Sequence, residues 1–203
     1  MYTPEAYQNK DTNAIKAFIK ANGFGILINT TQGKPWGTHI PLQLEKNEKG
    51  KDVLVGHIAK ANSQWKSFTD NDVVLCIFNG PHSYISSSWY KEEEVPTWNY
   101  IAVHVYGKLT ITSETATLEA MHRLVDNYER ESECPISTRD MSNSTLRQVE
   151  GVVGFSITIT EMQATYKLSQ TRKEDHAQII SELKKKDDPL SHSIASLIKE
   201  NDL

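Results

Sequence analysis

From Asn99 to Ile111 the chain alternates almost without interruption, and this run restricts how it can fold more than any other. Ile101, Val103, Val105, Leu109 and Ile111 fall on one parity, and Tyr100, Ala102, His104, Tyr106 and Lys108 on the other. A period of two sends successive side chains to opposite faces of a strand, so the run predicts a long strand with one face given to core. The other face is free to make a site or an interface. One strand cannot bury such a face alone, so partner strands are required.

Those partners are legible. Phe24 to Asn29 is nearly continuously apolar, Ile40, Leu42 and Leu44 alternate, and Val53 to Ile58 alternates again. Turn-like Gln32-Gly33-Lys34-Pro35 and Asn47-Glu48-Lys49-Gly50 separate the three. Val73 to Phe78 reads as a fully buried strand. Phe155, Ile157 and Ile159 alternate with Ser156, Thr158 and Thr160 in a last long strand that runs on or turns toward Tyr166-Lys167-Leu168.

Helix signals fall around the strands. Thr3-Pro4 resembles a helix start, and Asp11 to Lys20 carries Ile15, Phe18 and Ile19 at helical spacing before Asn22-Gly23 ends it. A short helix is expected around Asn62 to Phe68, with Asn62 at its cap. Ser113 caps a helix whose stripe is Leu118, Met121, Leu124, Val125 and Tyr128, and another helical segment lies near Asn143 to Val149. Two helices close the chain, the first opened by a capping box from Thr171 to Glu174, the second by Asp188 with Pro189 in its first position. Strands in sequence with helices mainly at the ends imply an α+β fold built on an antiparallel barrel.

Composition narrows the chemistry. The 203 residues suit one domain with a sizeable core, or one domain with a small appendage. Two cysteines, Cys76 in an apolar run and Cys134 in a polar loop, show no paired or metal spacing, which suggests a reducing compartment. No signal-peptide pattern opens the chain and no apolar stretch approaches membrane-spanning length, so no membrane partner and a cytoplasmic location are expected. A net charge of −4 argues against affinity drawn from nucleic-acid phosphates. Lys184-Lys185-Lys186 is followed at once by Asp187-Asp188, as at a solvated helix end.

Motifs for dinucleotide loops, phosphate loops, zinc helices and nucleophile elbows are all missing. Seven histidines include His39, His57 and His104 on expected strands, but none form a local ligand pair, and no metal site or catalytic side chain is assigned. What remains is ligand binding. Between Gly80 and His104, small polar residues Ser83, Ser86, Ser87, Ser88, Thr97 and Asn99 are set among Tyr84, Trp89, Trp98 and Tyr100. Buried hydroxyls and amides need partners, and flat aromatics beside many donors suit a planar, polar-edged ligand. The same enrichment also suits a subunit interface. Gly56-His57-Ile58-Ala59-Lys60-Ala61-Asn62 leads from a strand into a helix, with Lys60 just before the cap and well placed for a phosphate.

These blocks carry a resemblance. Met1-Tyr2-Thr3-Pro4, Thr38-His39-Ile40-Pro41-Leu42, Gly56 to Asn62 with Gln64-Trp65, Gly80-Pro81, Tyr84-Ile85-Ser86, Ser88-Trp89-Tyr90, Val95-Pro96-Thr97-Trp98-Asn99-Tyr100, Val103-His104, Val153-Gly154-Phe155 and Lys167-Leu168-Ser169-Gln170 occur in the order seen in the PaiB family. The chain resembles that family of FMN-binding split-barrel proteins, described as negative transcriptional regulators. The resemblance implies a six-stranded split barrel over residues 1–170 with a helical appendage over 171–203. It implies a homodimer with FMN held between the two chains. Carried over by position, Lys60 and Asn62 with Ser86 or Ser88 would hold the phosphate. His39, His57, Trp89, Thr97, Trp98 and Asn99 would meet the ring and ribityl chain, and Lys167, Ser169 and Gln170 would contribute from the partner chain. Ser63 and Ser87 stand where relatives usually have proline, and Thr171 where they have asparagine.

Three functions follow as expectations. The first is the family's negative regulation, with DNA contact supported solely by the C-terminal stretch from Thr171 to Asn201. The second is an FMN-dependent oxidoreductase, akin to flavin reductases or pyridoxamine-phosphate oxidases, which needs no catalytic side chain because the flavin carries the electrons. The third is a degenerate barrel that has lost its cofactor.

Overall fold

The computed structural model describes residues 1–69 and 72–200. A three-residue helical turn at Glu5–Tyr7 leads into a short strand β1 (Gln8–Asn9) and helix α1 (Thr12–Ala21). Asp11 caps α1, its Oδ1 accepting from the backbone N–H of Asn13 at 2.8 Å and Ala14 at 3.2 Å. Strands β2 (Phe24–Thr31), β3 (Lys34–Lys46), β4 (Asp52–Ala59), β5 (Asp72–Ile85), β6 (Thr97–Ile111) and β7 (Val152–Lys167) make up the rest of a seven-stranded sheet. Helices α2 (Glu114–Glu129), α3 (Asn143–Leu146), α4 (His176–Lys185) and α5 (Pro189–Glu200) complete an α+β fold. Among the described residues, no helix is long and apolar enough to cross a membrane.

Hydrogen-bonded neighbours run β1-β7-β4-β3-β2-β5-β6, and β6 also pairs with β7, so the order returns on itself. The six long strands therefore make the expected antiparallel barrel, with β1 as a short addition. β2 and β3 join through a two-residue turn in which Gln32 and Gly33 have φ of 52° and 77°, the hairpin geometry that matches strand twist. Lys34 and Pro35, expected in that turn, are the first residues of β3.

The described chain falls into two compact units, and β5, β6 and β7 run through both. Met1–Phe18, Phe78–His104 and the segment from Gln163 form the first; Ile19–Ile77 and Val105–Met162 form the second. In the second unit the core comprises Leu27, Leu42, Leu54, Ile58, Phe68, Cys76, Leu109, Phe155 and Ile157, with Phe68 edge-on to Phe155. Burial pushes the Cys76 thiol far above its ordinary range, so it is an inert core residue. In the first unit Ile85 and Leu168 are buried with Ile179 and Leu183 of α4 and Ile194, Ala195 and Ile198 of α5.

The helix starts at Ser113 and Asp188 are where the sequence puts them, and the one at Thr171 is not. Ser113 Oγ accepts from Ala116 N at 3.2 Å, and Asp188 Oδ1 and Oδ2 accept from the N–H groups of Leu190 and Ser191 at 3.2 and 3.1 Å. The expected capping box at Thr171 and Glu174 does not open a helix. Lys173–Asp175 is a single 3-10 turn, α4 begins at His176, and Asp175 gives it no side-chain cap.

Candidate functional site

The structure separates the thirteen expected residues into two groups, four in the second unit and nine in the first. In the second unit the organiser is a residue that sequence reasoning passed over. Gln64 is fully buried, and its Nε2 donates to Asn29 Oδ1 at 2.9 Å, Trp36 O at 3.2 Å and Leu27 O at 3.3 Å. Its Oε1 accepts from the Thr38 hydroxyl, which itself accepts from Asn62 Nδ2 at 2.9 Å. Asn62 Oδ1 accepts from Gln64 N at 3.0 Å and so caps the 3-10 turn Ser63–Ser67, as the sequence implied. The missed signal was positional, since a cap at Asn62 aims the side chain two residues on toward the sheet.

Lys60 is fixed through its backbone. Its N–H donates to Gly151 O at 2.8 Å, and its carbonyl accepts from Trp65 Nε1 at 2.9 Å. The ammonium is exposed and has no ion-pair partner among the described residues, so its charge is available to an anion. Lys60 and Trp65 also border a cleft of about 610 Å³ whose walls include Leu118, Leu146, Val149 and Val153. His39 is exposed on β3 and lies against Phe24, ring centroids 6.3 Å apart and planes 26° apart. His57 is half-buried on β4, and burial holds its imidazole below the ordinary 6.5, hence neutral at pH 7.

The first unit holds the polar and aromatic stretch. Trp98 is 52% exposed, with His82 and Tyr84 each 6.0 Å from its ring. Lys167 Nζ donates to Thr97 Oγ1 at 2.5 Å and lies 5.5 Å from the Tyr7 ring centroid. Asn99 is fully buried, and its Nδ2 donates to Ser169 Oγ at 2.8 Å. Ser169 sits in the left-handed region at φ 60°, a strained backbone for a serine, and its carbonyl accepts from His176 Nε2 at 2.8 Å. Gln170 uses its amide on its own turn, accepting from Leu168 N at 2.8 Å and donating to Tyr166 O. Ser86 and Ser88 share a hydrogen bond at 2.9 Å beside Trp89, which carries Lys186 Nζ 5.1 Å from its ring.

Two buried side-chain atoms among the described residues have no hydrogen-bond partner, Asn99 Oδ1 and His104 Nδ1. Burial, then the charge of the Met1 amino group, keeps His104 below the ordinary imidazole value. An orphan buried acceptor carries a desolvation cost, so it marks a place where a donor from outside the chain is welcome. A flavin mononucleotide asks for cationic and hydroxyl donors at its phosphate, polar groups at its ring edge and ribityl chain, and a flat neighbour. Lys60 in the second unit, and in the first the Ser86 and Ser88 hydroxyls, Asn99 Oδ1 and the open Trp98 ring, are groups of those kinds, so the chemistry each unit offers by itself fits the cofactor. Among the described residues, no cluster of three His, Cys, Asp or Glu is arranged to hold a metal ion.

Comparison with known proteins agrees. A family model described as "Putative FMN-binding domain" matches residues 1–161. "Protease synthase and sporulation protein PAI 2" of Bacillus subtilis strain 168 is 38% identical over 202 residues, covering 98% of this chain and 97% of that protein. Among solved structures, an FAD and heme binding protein from Mycobacterium smegmatis superposes with a TM-score of 0.61 at 12% identity, covering 79% of this chain and 73% of that one. The flavocytochrome Anf3 from Azotobacter vinelandii gives 0.56 at 17% identity, covering 79% and 69%. At those identities the two structures establish a shared split-barrel fold. With the family model spanning most of the sequence and a relative matched nearly end to end, the chain belongs to the PaiB family of FMN-binding split-barrel proteins, and FMN is its cofactor.

Proposed function

We propose that the protein is a homodimeric FMN protein that lowers transcription through a protein partner rather than by gripping DNA. The observation that carries the second half is the net charge of −4, together with the engagement of three of the six cations from Thr171 onward. Lys185 pairs with Glu182 at 2.6 Å, Arg172 with Glu94, and Lys186 is turned onto Trp89, Ser83 and the Tyr84 carbonyl. A DNA-reading surface needs such charges free for phosphates; Lys173, Lys184 and Lys199 are exposed, but they are a thin basic patch on a chain that is acidic as a whole. Asn201, the last residue of the stretch considered for DNA contact, lies outside the described residues.

Dimerisation is supported by an uncharged strip on β2 and β5. Phe24 and Val73 are 65% and 67% exposed, and Ile26 and Ile28 pair directly with Ile77 and Leu75. A continuous apolar strip of this kind suits a subunit face. Lys60 and Asn62, with Ser86 or Ser88, are assigned to the FMN phosphate. His39, His57, Trp89, Thr97, Trp98 and Asn99 are assigned to the ring and ribityl chain, with Lys167, Ser169 and Gln170 from the partner chain. When bound, the flavin supplies the capacity to accept and release electrons; the residues of the chain bind and orient it.

The test is a mobility-shift titration of target promoter fragments with flavin-loaded dimer at low salt. No shift is the expected result; a shift that weakens steeply with added salt overturns the indirect reading. The second reading is an FMN-dependent oxidoreductase, in which the flavin would carry the electrons and the chain would need no catalytic side chain of its own. Bleaching of bound flavin by NADH or NADPH without oxygen would select it, and persistent oxidised colour with both would remove a nicotinamide-dependent reductase.

A further inference from the structure

The loop from Ser86 to Glu94 is held from the C-terminal segment by three charged side chains. The Arg172 guanidinium lies 6.0 Å from the Tyr90 ring centroid and pairs with Glu94. Asp175, buried to 2% exposure, accepts from Lys91 N at 3.0 Å, which is why it is not spent on capping α4. Lys186 does most. Its ammonium faces the Trp89 ring at 5.1 Å and donates to Ser83 Oγ at 3.2 Å and Tyr84 O at 3.1 Å. Ser83 is tied to Ser191 at 2.8 Å, Ser191 donates to Asp188 at 2.5 Å, and His192 Nε2 donates to the Lys186 carbonyl at 2.7 Å. Beneath this polar layer Ile85 is buried against α4 and α5.

The FMN-binding family model ends at residue 161, so all of these contributors from the C-terminal segment lie beyond it. We propose that the C-terminal helices are part of the cofactor site: they position Trp89, Ser86 and Ser88 for FMN, with Lys186 as the positioning residue. The proposal rests on the reading that this loop touches FMN. Lys186 acts through Trp89. A cation over an indole face fixes the ring plane, and two further hydrogen bonds fix the ammonium, so the ring is preorganised before the ligand arrives. Without that charge, part of the binding energy is spent on ordering the loop.

The experiment is FMN titration of the full chain, followed by flavin fluorescence, for wild type, Lys186→Met, Lys186→Arg and Trp89→Ala, with thermal melts of each flavin-free protein. Methionine keeps the apolar stem against Trp89 and removes the charge and donors. Lys186→Met is expected to weaken FMN about tenfold, the size of one well-placed cation–π contact with its hydrogen bonds, with a near wild-type melt. Lys186→Arg, which keeps charge, donors and stacking, is expected to restore affinity, a rescue that a merely structural lysine would not need. Wild-type affinity in Lys186→Met beside weakened affinity in Trp89→Ala overturns the positioning role. Wild-type affinity in Trp89→Ala overturns the reading beneath it, that the loop touches FMN. If Lys186→Met fails to fold, Lys186→Gln, which keeps a donor without the charge, decides between the same outcomes.

Discussion

Two fully buried amides show how differently the two units treat polar groups. Gln64 in the second unit has its oxygen and its NH₂ engaged by Thr38, Asn29, Trp36 and Leu27, whereas Asn99 in the first unit uses its NH₂ on Ser169 and leaves its oxygen bare. A buried amide with every bond made is cement, because it ties three segments at no outstanding desolvation cost. A buried amide with an open acceptor carries such a cost in the flavin-free protein, and a ligand donor can relieve it. Satisfaction, not burial, separates the two.

If Gln64 is cement, removing it leaves several buried partners unpaired at once. Gln64→Leu is expected to destabilise the protein by about 3 kcal/mol, because the Thr38 hydroxyl loses its acceptor, Asn29 Oδ1 is left with the long bond from Thr31, and the Leu27 and Trp36 carbonyls each lose a donor. Urea unfolding of the flavin-free protein measures it, and a loss below about 1 kcal/mol would mean that the network rearranges freely. Asn62 provides the link to the site, since it shares Thr38 with Gln64.

Lys60 is the second unit's open group, the counterpart there of Asn99. Lys60→Ala should leave stability nearly untouched, because the side chain is exposed and the anchoring bonds are backbone ones. It should weaken FMN by about 2 kcal/mol, the scale of one hydrogen bond to a charged group, or roughly thirtyfold. Raising salt should narrow the gap between wild type and variant as screening grows. Equal affinities at low salt would move the phosphate away from Lys60.

For Asn99 the two readouts should part in the same way on a smaller scale. Asn99→Ala loses the Ser169 hydrogen bond but also removes the unsatisfied oxygen, so flavin-free stability is expected to change by about 1 kcal/mol. FMN affinity should fall about tenfold, the worth of one neutral hydrogen bond in a dry site. Unchanged affinity would show that Oδ1 is served by a buried water and that Asn99 is cement after all.

The same distinction explains what was legible in the sequence. Period-two alternation from Tyr100 to Ile111 fixed β6, and the barrel followed from it, because apolar parity reports burial directly. Caps at Ser113 and Asp188 were legible because a cap is a local bond between near neighbours. The extension of β5 through Gly80-Pro81 to Ile85 was not, since glycine and proline usually punctuate strands. Its reason is tertiary: a Cβ at Gly80 would stand 2.7 Å from the Phe18 ring. The start of α4 was misplaced for a similar reason, Asp175 being claimed by Lys91 from a distant part of the chain. For the candidate site the sequence gives residue types and not their hydrogen-bonding states. Nothing local says that Gln64 finds every partner and Asn99 does not, because those partners come from segments tens of residues away.

The smallest effect concerns two half-buried histidines, His57 in the second unit and His104 in the first. Burial holds both His57 and His104 below the ordinary imidazole value of 6.5, so each binds a proton less readily in the folded chain than in the unfolded one. As pH falls through 6.5 the unfolded chain gains protons first, and stability declines until the lower folded values are passed, below which this contribution is constant. Above 6.5 both forms are neutral and the contribution is fully present. His57→Gln should therefore flatten the decline in urea stability between about pH 7 and pH 5, by a fraction of the about 1.4 kcal/mol per pH unit that one whole proton of difference would give. His104→Gln should flatten it separately, since its neighbours differ and its unpartnered Nδ1 is deep enough to resist charging. An additive double variant would show two independent groups; a slope unchanged in His57→Gln would mean that its ring is solvated in the folded protein, and would weaken its assignment to a dry flavin-contacting wall.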